Sequence, residues 1–156
     1  MKHLNIEQNG RCSCGETTFT VLGKPIIRAL CHCEICQDFN QSPYADITVF
    51  YAKDIMLPEN NCVTFKTYSA PPAVQRGKCS ACGNPAIEFM NMPLFPKLSI
   101  IPSANISETV TLPEPAFHSF YHRRISDMDD NLPKYSGYIK SQLAFGKHLV
   151  SAMIRR

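Results

Sequence analysis

The sequence predicts a mainly β fold of small antiparallel sheets, followed by a C-terminal helix. Short stretches in which apolar and polar residues alternate recur along the chain, a period typical of half-buried strands. Turn-forming residues, including many of the 12 prolines, separate these stretches, and short strands joined in this way favour antiparallel pairing. Near the C-terminus the apolar positions change to a helical spacing. A chain of 156 residues most simply forms one domain with a core of ordinary size.

The strand candidates follow one another from the first cysteine pair to His122. In the first of them, Phe19 and Val21 share one face while two threonines occupy the other. The second leads directly into Cys31. Polar residues 37–42 are expected to form a loop or one helical turn, and residues 52–57 a helical turn. The predicted strands are residues 16–22, 26–30, 45–51, 62–68, 86–92, 97–101, 109–112 and 116–122.

The last 21 residues have a different periodicity from the rest of the chain. Apolar residues recur there at helical spacing, although Gly146 lowers the helix propensity. Such a helix can cover a sheet or a partner subunit, and the sequence leaves both possibilities open. The apolar positions are Ile139, Leu143, Leu149, Val150, Met153 and Ile154.

Eight cysteines, mostly in short clusters, give the strongest indication of function. The polar residues 1–10 do not resemble a signal peptide, and no stretch approaches the roughly 20 apolar residues of a membrane helix. Clustered cysteines in an intracellular protein indicate metal binding rather than disulfides. Seven metal-bound thiolates on two zinc ions would offset the formal net charge of +3, so the mild basicity does not indicate a nucleic-acid partner. We therefore expect a soluble, cytoplasmic metalloprotein with no nucleic-acid or membrane partner.

Three of these cysteines, Cys31, Cys33 and Cys36, fall within six residues and form the central motif. A Cys-x-Cys on a strand points both side chains to one face, and a Cys-x-x-Cys that turns the chain brings its sulfurs together. Three thiolates can thus converge on one metal ion. A tetrahedral zinc with three protein ligands keeps a fourth position open, which is characteristic of catalytic rather than structural zinc.

Two alternatives for this triad remain open at the level of sequence. A fourth ligand such as His32, His118 or His122 would close it into a structural zinc site. His32 is disfavoured because it lies between two cysteines on the strand and should point to the opposite face. The other alternative is disulfide or redox chemistry.

The remaining clusters are a Cys-x-Cys at Cys12 and Cys14 and a Cys-x-x-Cys at Cys79 and Cys82. Joining the two pairs gives a closed four-cysteine structural zinc site that crosslinks the start of the chain to its middle. Cys62 stands alone in a predicted strand and is expected to be a small buried hydrophobic residue.

The order of these motifs resembles a known family. From Cys12 to Gly83 the chain reads Cys-x-Cys-Gly, Cys-His-Cys-x-x-Cys and Cys-x-x-Cys-Gly, and this pattern is similar to that of the glutathione-dependent formaldehyde-activating enzymes, a family that includes centromere protein V. Downstream, the strand that carries His118 leads to Asp-Asn-Leu-Pro-Lys-Tyr at residues 130–135, similar to the family's terminal Asp-Gly-Leu-Pro-aromatic turn. The resemblance covers about residues 10–135.

The resemblance implies a β-tent fold and two zinc ions per chain. It implies a family domain over residues 1–135, and the helical spacing after it predicts an extension over residues 136–156 through which the chain could form oligomers. One zinc would be structural and the other catalytic. The family reaction joins formaldehyde and glutathione into S-hydroxymethylglutathione and is classed as carbon–sulfur lyase chemistry, so a small thiol such as glutathione and an aldehyde are the implied partners. The structural zinc would be held by Cys12, Cys14, Cys79 and Cys82, and the catalytic zinc by Cys31, Cys33 and Cys36.

This chain differs from the family pattern next to the triad. The family often has an arginine directly after it, where this chain has Gln37, and the family's tryptophan near Ile125 is absent. These differences concern the expected substrate pocket rather than the fold.

The mechanistic hypothesis is that a substrate thiol binds as thiolate at the open position of the triad zinc and attacks a carbonyl carbon; the reverse reaction cleaves a thiohemiacetal. His118 and His122 are candidates for proton transfer, since a period of two places them on one strand face. The residues that could meet the carboxylates of a glutathione-like ligand are Arg76, Lys78, Arg123 and Arg124.

The alternative function is a non-enzymatic, zinc-binding protein-interaction or chaperone-like module. The two functions differ in the fourth position of the triad. An enzyme should exchange water or thiol there, whereas a structural module should be closed by a protein ligand.

Overall fold

The structure, a computed structural model, describes residues 8–69 and 73–156. Most of the polar segment 1–10, for which no signal peptide is expected, lies outside the described residues.

The described chain forms ten strands, two α-helices and three short 3-10 turns. The helices are α1 (Glu34–Asn40) and α2 (Tyr138–Ile154). The 3-10 turns are Ala52–Asp54, Ser103–Asn105 and Tyr121–Arg123. The strands are β1 (Gly10–Arg11), β2 (Thr18–Val21), β3 (Ile27–Cys31), β4 (Ala45–Tyr51), β5 (Ile55–Met56), β6 (Val63–Lys66), β7 (Val74–Cys79), β8 (Pro85–Met90), β9 (Leu98–Pro102) and β10 (His118–Ser119).

These strands build a small sheet and a large one. The small sheet has the order β1-β2-β5 and the large sheet the order β10-β3-β4-β9-β8-β7-β6. All pairs are antiparallel except β10 and β3, which run parallel with His118 opposite Leu30 and Ser119 opposite Cys31. The prediction of a mainly β fold with antiparallel sheets and a C-terminal helix is confirmed, and the parallel pair at one edge makes the large sheet mixed.

Several predictions about individual strands are wrong. Strand β1 is missing from the predicted set, and residues 52–57, expected to form a helical turn, divide into the 3-10 turn Ala52–Asp54 and strand β5. Strand β7 was not expected, because Gln75, Arg76 and Lys78 give it no apolar alternation; its polar side chains are instead accommodated by pairing with β6 and β8. Residues 109–112 were expected to be a strand but are not, because a turn begins at Ser107. Its hydroxyl accepts from the Thr109 backbone N–H at 3.3 Å, and its carbonyl accepts from the Val110 N–H at 3.0 Å.

The core lies on both sides of the large sheet. On one side, Phe19 of the small sheet packs with Phe50 and Ile87. On the other, Val49 packs with Leu149 of α2. Consecutive residues of β4 thus face opposite layers, as expected for a strand buried on both faces. Helix α2 covers the sheet, which is one of the two roles, covering a sheet or a partner subunit, that the sequence left open.

The inner face of α2 contains a half-buried imidazole that should make stability depend on pH. His148 stacks on Phe117, with ring centroids 4.4 Å apart, and its Nε2 lies 3.1 Å from the Tyr135 hydroxyl. Burial lowers the pKa of His148, and the positive charges of Lys147 and Arg155 lower it further. At pH values between the lowered pKa of His148 and about 6.5, the native state therefore binds fewer protons at this residue than the unfolded chain does.

We therefore expect the free energy of unfolding to rise with pH across that interval and to become independent of His148 above about 6.5. Replacing His148 with glutamine should remove this part of the pH dependence. Urea unfolding of both proteins between about pH 5.5 and 8 measures it, and subtracting the two curves cancels the contribution of the cysteines, which both proteins retain. Superimposable pH profiles would show that His148 contributes nothing.

Candidate functional site

The two cysteine pairs meet at one edge of the molecule. Cys12 and Cys14 lie in the turn after β1, Cys79 ends β7, and Cys82 lies in the turn that follows it. All four Sγ atoms lie within 4.8 Å of one another. Cys14 Sγ is 3.5 Å from Cys12 Sγ and 3.8 Å from Cys79 Sγ.

These distances fit a tetrahedral zinc. Zinc–sulfur bonds of about 2.3 Å at tetrahedral angles set sulfur–sulfur distances of about 3.8 Å. Each pair is followed by a glycine in the left-handed region, Gly15 with φ 81° and Gly83 with φ 74°. Most other residues would be strained at these turns. The chemistry and geometry of the donor set therefore suit a closed structural metal site.

Cys62 lies beside this group but outside it. Its side chain is half-buried, just before β6. The sulfur lies 3.2 Å from the Thr17 hydroxyl and 3.8 Å from Cys79 Sγ. The expectation of a buried residue within a strand is thus only partly met.

The cysteine triad lies where β3 gives way to α1. Cys31 is the last residue of β3, Cys33 is the N-cap of α1, and Cys36 lies in its first turns. Cys33 Sγ accepts a hydrogen bond from the Cys36 backbone N–H at 3.3 Å. This cap explains why the helix begins at Glu34, before the loop or turn expected at residues 37–42. The three sulfurs lie within 4.8 Å of one another.

No fourth side chain of a ligating type completes this group in the part of the chain that the structure describes. Hydrogen bonds from the Cys31 and Cys36 thiols lower the pKa of Cys33. The hydrogen bond with Cys33, together with burial, raises the pKa of Cys31, against an opposing hydrogen bond with Cys36. Hydrogen bonds with Cys31 and Cys33, together with burial, raise the pKa of Cys36. Three soft ligands of this kind suit zinc.

Arg76 is the cation next to the triad. Its side chain is only 13% exposed, and its Nε lies 3.2 Å from Oε1 of Glu88, which is 7% exposed. Burial lowers the pKa of Arg76, but the negative charges of Glu88, Cys36 and Cys33 outweigh this and leave it raised. Burial raises the pKa of Glu88 to about 7, against the opposing effect of Arg76. The pair places a buried positive charge beside two of the sulfurs.

A chain of hydrogen bonds starts at His32, whose ring is 1% exposed. His32 Nε2 lies 2.8 Å from His118 Nδ1, and His118 Nε2 lies 2.8 Å from Asp130 Oδ2. Lys134, which bonds Asp130 Oδ1 at 2.8 Å, lowers the Asp130 pKa, and His118 lowers it further. Burial lowers the pKa of His32 to about 4, with a smaller contribution from His118.

These partners fix the tautomers when both rings are neutral. An ionised carboxylate only accepts, so His118 Nε2–H donates to Asp130 and His118 Nδ1 accepts from His32 Nε2–H. His32 Nδ1 is then an acceptor, and it is buried without a hydrogen-bond partner among the described residues. His32 belongs to neither cysteine group, in agreement with the expected orientation of its ring.

The expectation that His118 and His122 share a strand face is wrong. Strand β10 ends at Ser119, and Phe120 adopts a left-handed conformation with φ 54°. The chain then enters a 3-10 turn that leaves His122 exposed, with its Nδ1 accepting from the Gly137 N–H at 2.7 Å. Of the two histidines, only His118 is buried next to the triad's own strand.

The other three basic candidates differ in their surroundings. Arg123 forms an exposed ion pair with Glu34 of α1 at 3.3 Å. Arg124 pairs with Asp127 at 2.6 Å. Lys78 of β7 places Nζ 5.6 Å from the centroid of the Phe39 ring, which also belongs to α1. Arg76, Lys78 and Arg123 therefore each interact with a residue of α1, the helix that contains Cys36.

Three residues important to the site were given no role from the sequence. Gln37 Nε2 donates to the carbonyls of His32 at 2.7 Å and Arg123 at 2.8 Å, so it ties α1 to the 3-10 turn. Glu88 and Asp130 hold Arg76 and His118. A charged residue within the apolar stretch 86–90 was the available signal for Glu88, whereas Gln37 was noted only as the residue in place of the family's arginine.

No helix in residues 8–69 or 73–156 combines the length and apolar character needed to cross a membrane.

Comparisons with known proteins match a family and solved structures. The family model described as "Glutathione-dependent formaldehyde-activating enzyme" matches residues 7–123. A crystal structure of a Rhodobacter sphaeroides protein, a structural genomics target, is similar with a TM-score of 0.49 and 18% sequence identity. The similarity covers 66% of this chain and 90% of that one. No curated protein matches the chain.

Proposed function

Because the chain belongs to the glutathione-dependent formaldehyde-activating enzyme family, we propose that it is a zinc-dependent, carbon–sulfur lyase-like enzyme acting on thiol–aldehyde adducts of the S-hydroxymethylglutathione type. The observation that carries this proposal is the grouping of Cys31, Cys33 and Cys36 without a fourth ligand among the described residues. Three ligands are the protein's share in a catalytic zinc site, whereas four close a structural one.

Zinc bound by the triad would offer its free position to a substrate thiol and lower the proton affinity of that thiol. The role of the protein is to hold the three sulfurs on one side of this position. Cys31 is fixed by pairing of β3 on both edges, and Cys33 is fixed as the cap of α1. The second zinc of the proposal, at Cys12, Cys14, Cys79 and Cys82, stabilises the fold.

The buried cation beside the triad supports binding of an anionic thiolate. Three cysteine thiolates and a divalent ion leave one net negative charge, which opposes a fourth thiolate. Arg76, whose charge interacts with Cys33 and Cys36, offsets part of this charge, since Glu88, which holds Arg76 in place, repels Cys33. A buried charge acts more strongly than an exposed one, because water screens it less.

The proposed substrates are a small thiol such as glutathione and an aldehyde. Glutathione carries two carboxylates, and Arg123 and Lys78 contact Glu34 and Phe39 of α1, the helix that contains Cys36. The Arg123 ion pair with Glu34 is exposed, so little free energy is needed to exchange it for a ligand carboxylate. Arg76 is already paired with Glu88 and is not assigned this role.

Replacing Cys36 with alanine tests the proposal. Exchange of ¹³C-labelled formaldehyde between solution and its glutathione adduct, followed by NMR, measures turnover. We expect wild type to accelerate exchange and the Cys36→Ala variant to fall to the uncatalysed background, because two ligands hold zinc poorly. The matched control is Cys62→Ala, which removes a cysteine outside both groups and should keep the wild-type rate.

A Cys36→Ala variant as fast as wild type would refute the proposed site. A wild-type protein that holds two zinc ions and still fails to accelerate exchange with glutathione or other small thiols would favour the binding module instead.

A further inference from the structure

Helix α2 has a second apolar face, directly opposite the one that packs on the sheet. Its inner face buries Ala144 and Leu149. The outer face exposes four aliphatic side chains, here called the outer stripe, which at 3.6 residues per turn fall within an arc of about 60°. The outer stripe consists of Ile139, Leu143, Val150 and Ile154, which are 71%, 69%, 42% and 78% exposed. Four large aliphatic side chains aligned at the solvent side of one helix are unlike the scattered apolar residues of an ordinary surface.

The charges around the outer stripe all have one sign. Helix α2 and the two residues after it carry Lys140, Lys147, Arg155 and Arg156, and the sequence has no acidic residue after Asp130. The helical period places Lys140 and Lys147 along one side of the stripe. None of the four forms a salt bridge within residues 8–69 and 73–156. The surface is therefore an apolar row bordered by unpaired cations.

The positive surface continues beyond the end of the helix. Arg156 donates to the Lys24 carbonyl at 3.0 Å, and its guanidinium lies 5.3 Å from the centroid of the Tyr51 ring. Lys53 places its ammonium 5.5 Å from the same ring. Asp54 is an acidic neighbour at this end, beside Gly23. The cations outnumber it, so the end of α2 is held in a region of net positive charge.

We propose that the outer stripe and its bordering cations dock on the surface of an anionic phospholipid bilayer. An amphipathic helix of this kind lies in the membrane plane, with aliphatic side chains at the acyl boundary and Lys and Arg at the lipid phosphates. The surface is independent of the proposed catalytic function. The sequence-based expectation of no membrane partner considered spanning segments, and docking needs no such segment.

A second copy of the chain fits this surface less well. Antiparallel pairing of two α2 helices about a two-fold axis brings Lys147 next to its own copy, with no acidic residue on the helix to balance it. A single helix–helix contact is also small compared with the roughly 1,200–2,000 Å² of a stable interface. Charge complementarity thus favours an anionic lipid surface.

Co-sedimentation of the zinc-loaded, full-length protein with vesicles tests the proposal. We expect binding to phosphatidylcholine vesicles that contain about 30% phosphatidylserine, at least about tenfold weaker binding to pure phosphatidylcholine, and release as NaCl rises from about 0.05 to 0.5 M. The double variants Ile139→Gln/Leu143→Gln and Lys140→Gln/Lys147→Gln should each bind about tenfold or more weakly than wild type.

The controls are Met56→Gln, which removes an apolar side chain of the small sheet that is 49% exposed, and Lys66→Gln, which removes an exposed cation of β6. Both should bind as wild type does. Unchanged circular dichroism and zinc content verify that every variant is folded. Equal binding to neutral and anionic vesicles, or none at low salt, would overturn the proposal. So would a stable dimer in sedimentation velocity that Leu143→Gln dissociates, because the stripe would then be an interface between copies.

Discussion

Replacing Cys79 with serine is expected to remove one zinc ion per chain and to destabilise the whole fold. Cys79 is fully buried at the end of β7, and its sulfur lies 3.8 Å from that of Cys14, 65 positions earlier in the chain. A metal held by both therefore closes a long loop and joins the turn after β1 to the large sheet. Because such a site does not exist in the unfolded chain, its binding free energy stabilises the folded state. Crosslinks that close loops of this length are worth about 4 kcal/mol, and we expect a loss of about this size.

Zinc content by plasma mass spectrometry and urea unfolding measure these two effects. The comparison variant is Cys62→Ser, which changes the neighbouring thiol at 3.8 Å from Cys79 Sγ and should keep both ions and most of the stability. If Cys79→Ser also kept two zinc ions and wild-type stability, the four-cysteine group could not be a structural metal site.

Replacing Arg76 with methionine should lower the free energy of unfolding by about 3–5 kcal/mol, because it leaves the Glu88 carboxylate buried without its partner. Arg76 and Glu88 lie opposite each other on β7 and β8, and both side chains are largely shielded from water. Methionine keeps most of the side-chain volume, so the loss reports on charge rather than on a cavity. Adding Glu88→Gln to the Arg76→Met variant should restore much of the lost free energy of unfolding, since no buried charge then remains unpaired.

The free energy of unfolding of wild type, the two single variants and the double variant completes a thermodynamic cycle. Lys66→Met, which removes an exposed cation from the adjacent strand, should change stability by less than about 0.5 kcal/mol. A double variant as unstable as Arg76→Met alone would show that the buried ion pair is not the cause.

Local patterns allowed much of the fold to be predicted. The alternation over residues 45–51 predicted β4 with the bounds that the structure gives, Ala45–Tyr51. The apolar spacing near the C-terminus predicted α2 despite Gly146. Both patterns are properties of neighbouring residues and of burial, which the sequence displays directly. The spacing of the cysteines likewise pointed to the two groups of sulfurs that the structure brings together.

What the sequence did not reveal depends on residues far apart in the chain. Strand β7 is polar because Arg76 meets Glu88, and no local rule shows that pairing. The hydrogen bond between His32 and His118 spans 86 positions. The left-handed conformation at Phe120 separates His118 from His122, and a non-glycine residue in that region gives no sequence signal.

The central claim is that Cys31, Cys33 and Cys36 hold a metal ion with one exchangeable position. Cobalt(II) substitution followed by visible absorption tests it most directly, because the spectrum reports the ligands of the ion. We expect glutathione to change the absorption of the cobalt-loaded wild type and to leave the Cys36→Ala variant, which retains the four-cysteine site, unchanged. A wild-type protein with two bound cobalt ions whose spectrum does not respond to thiol would contradict the claim, because its triad would then be closed to substrate.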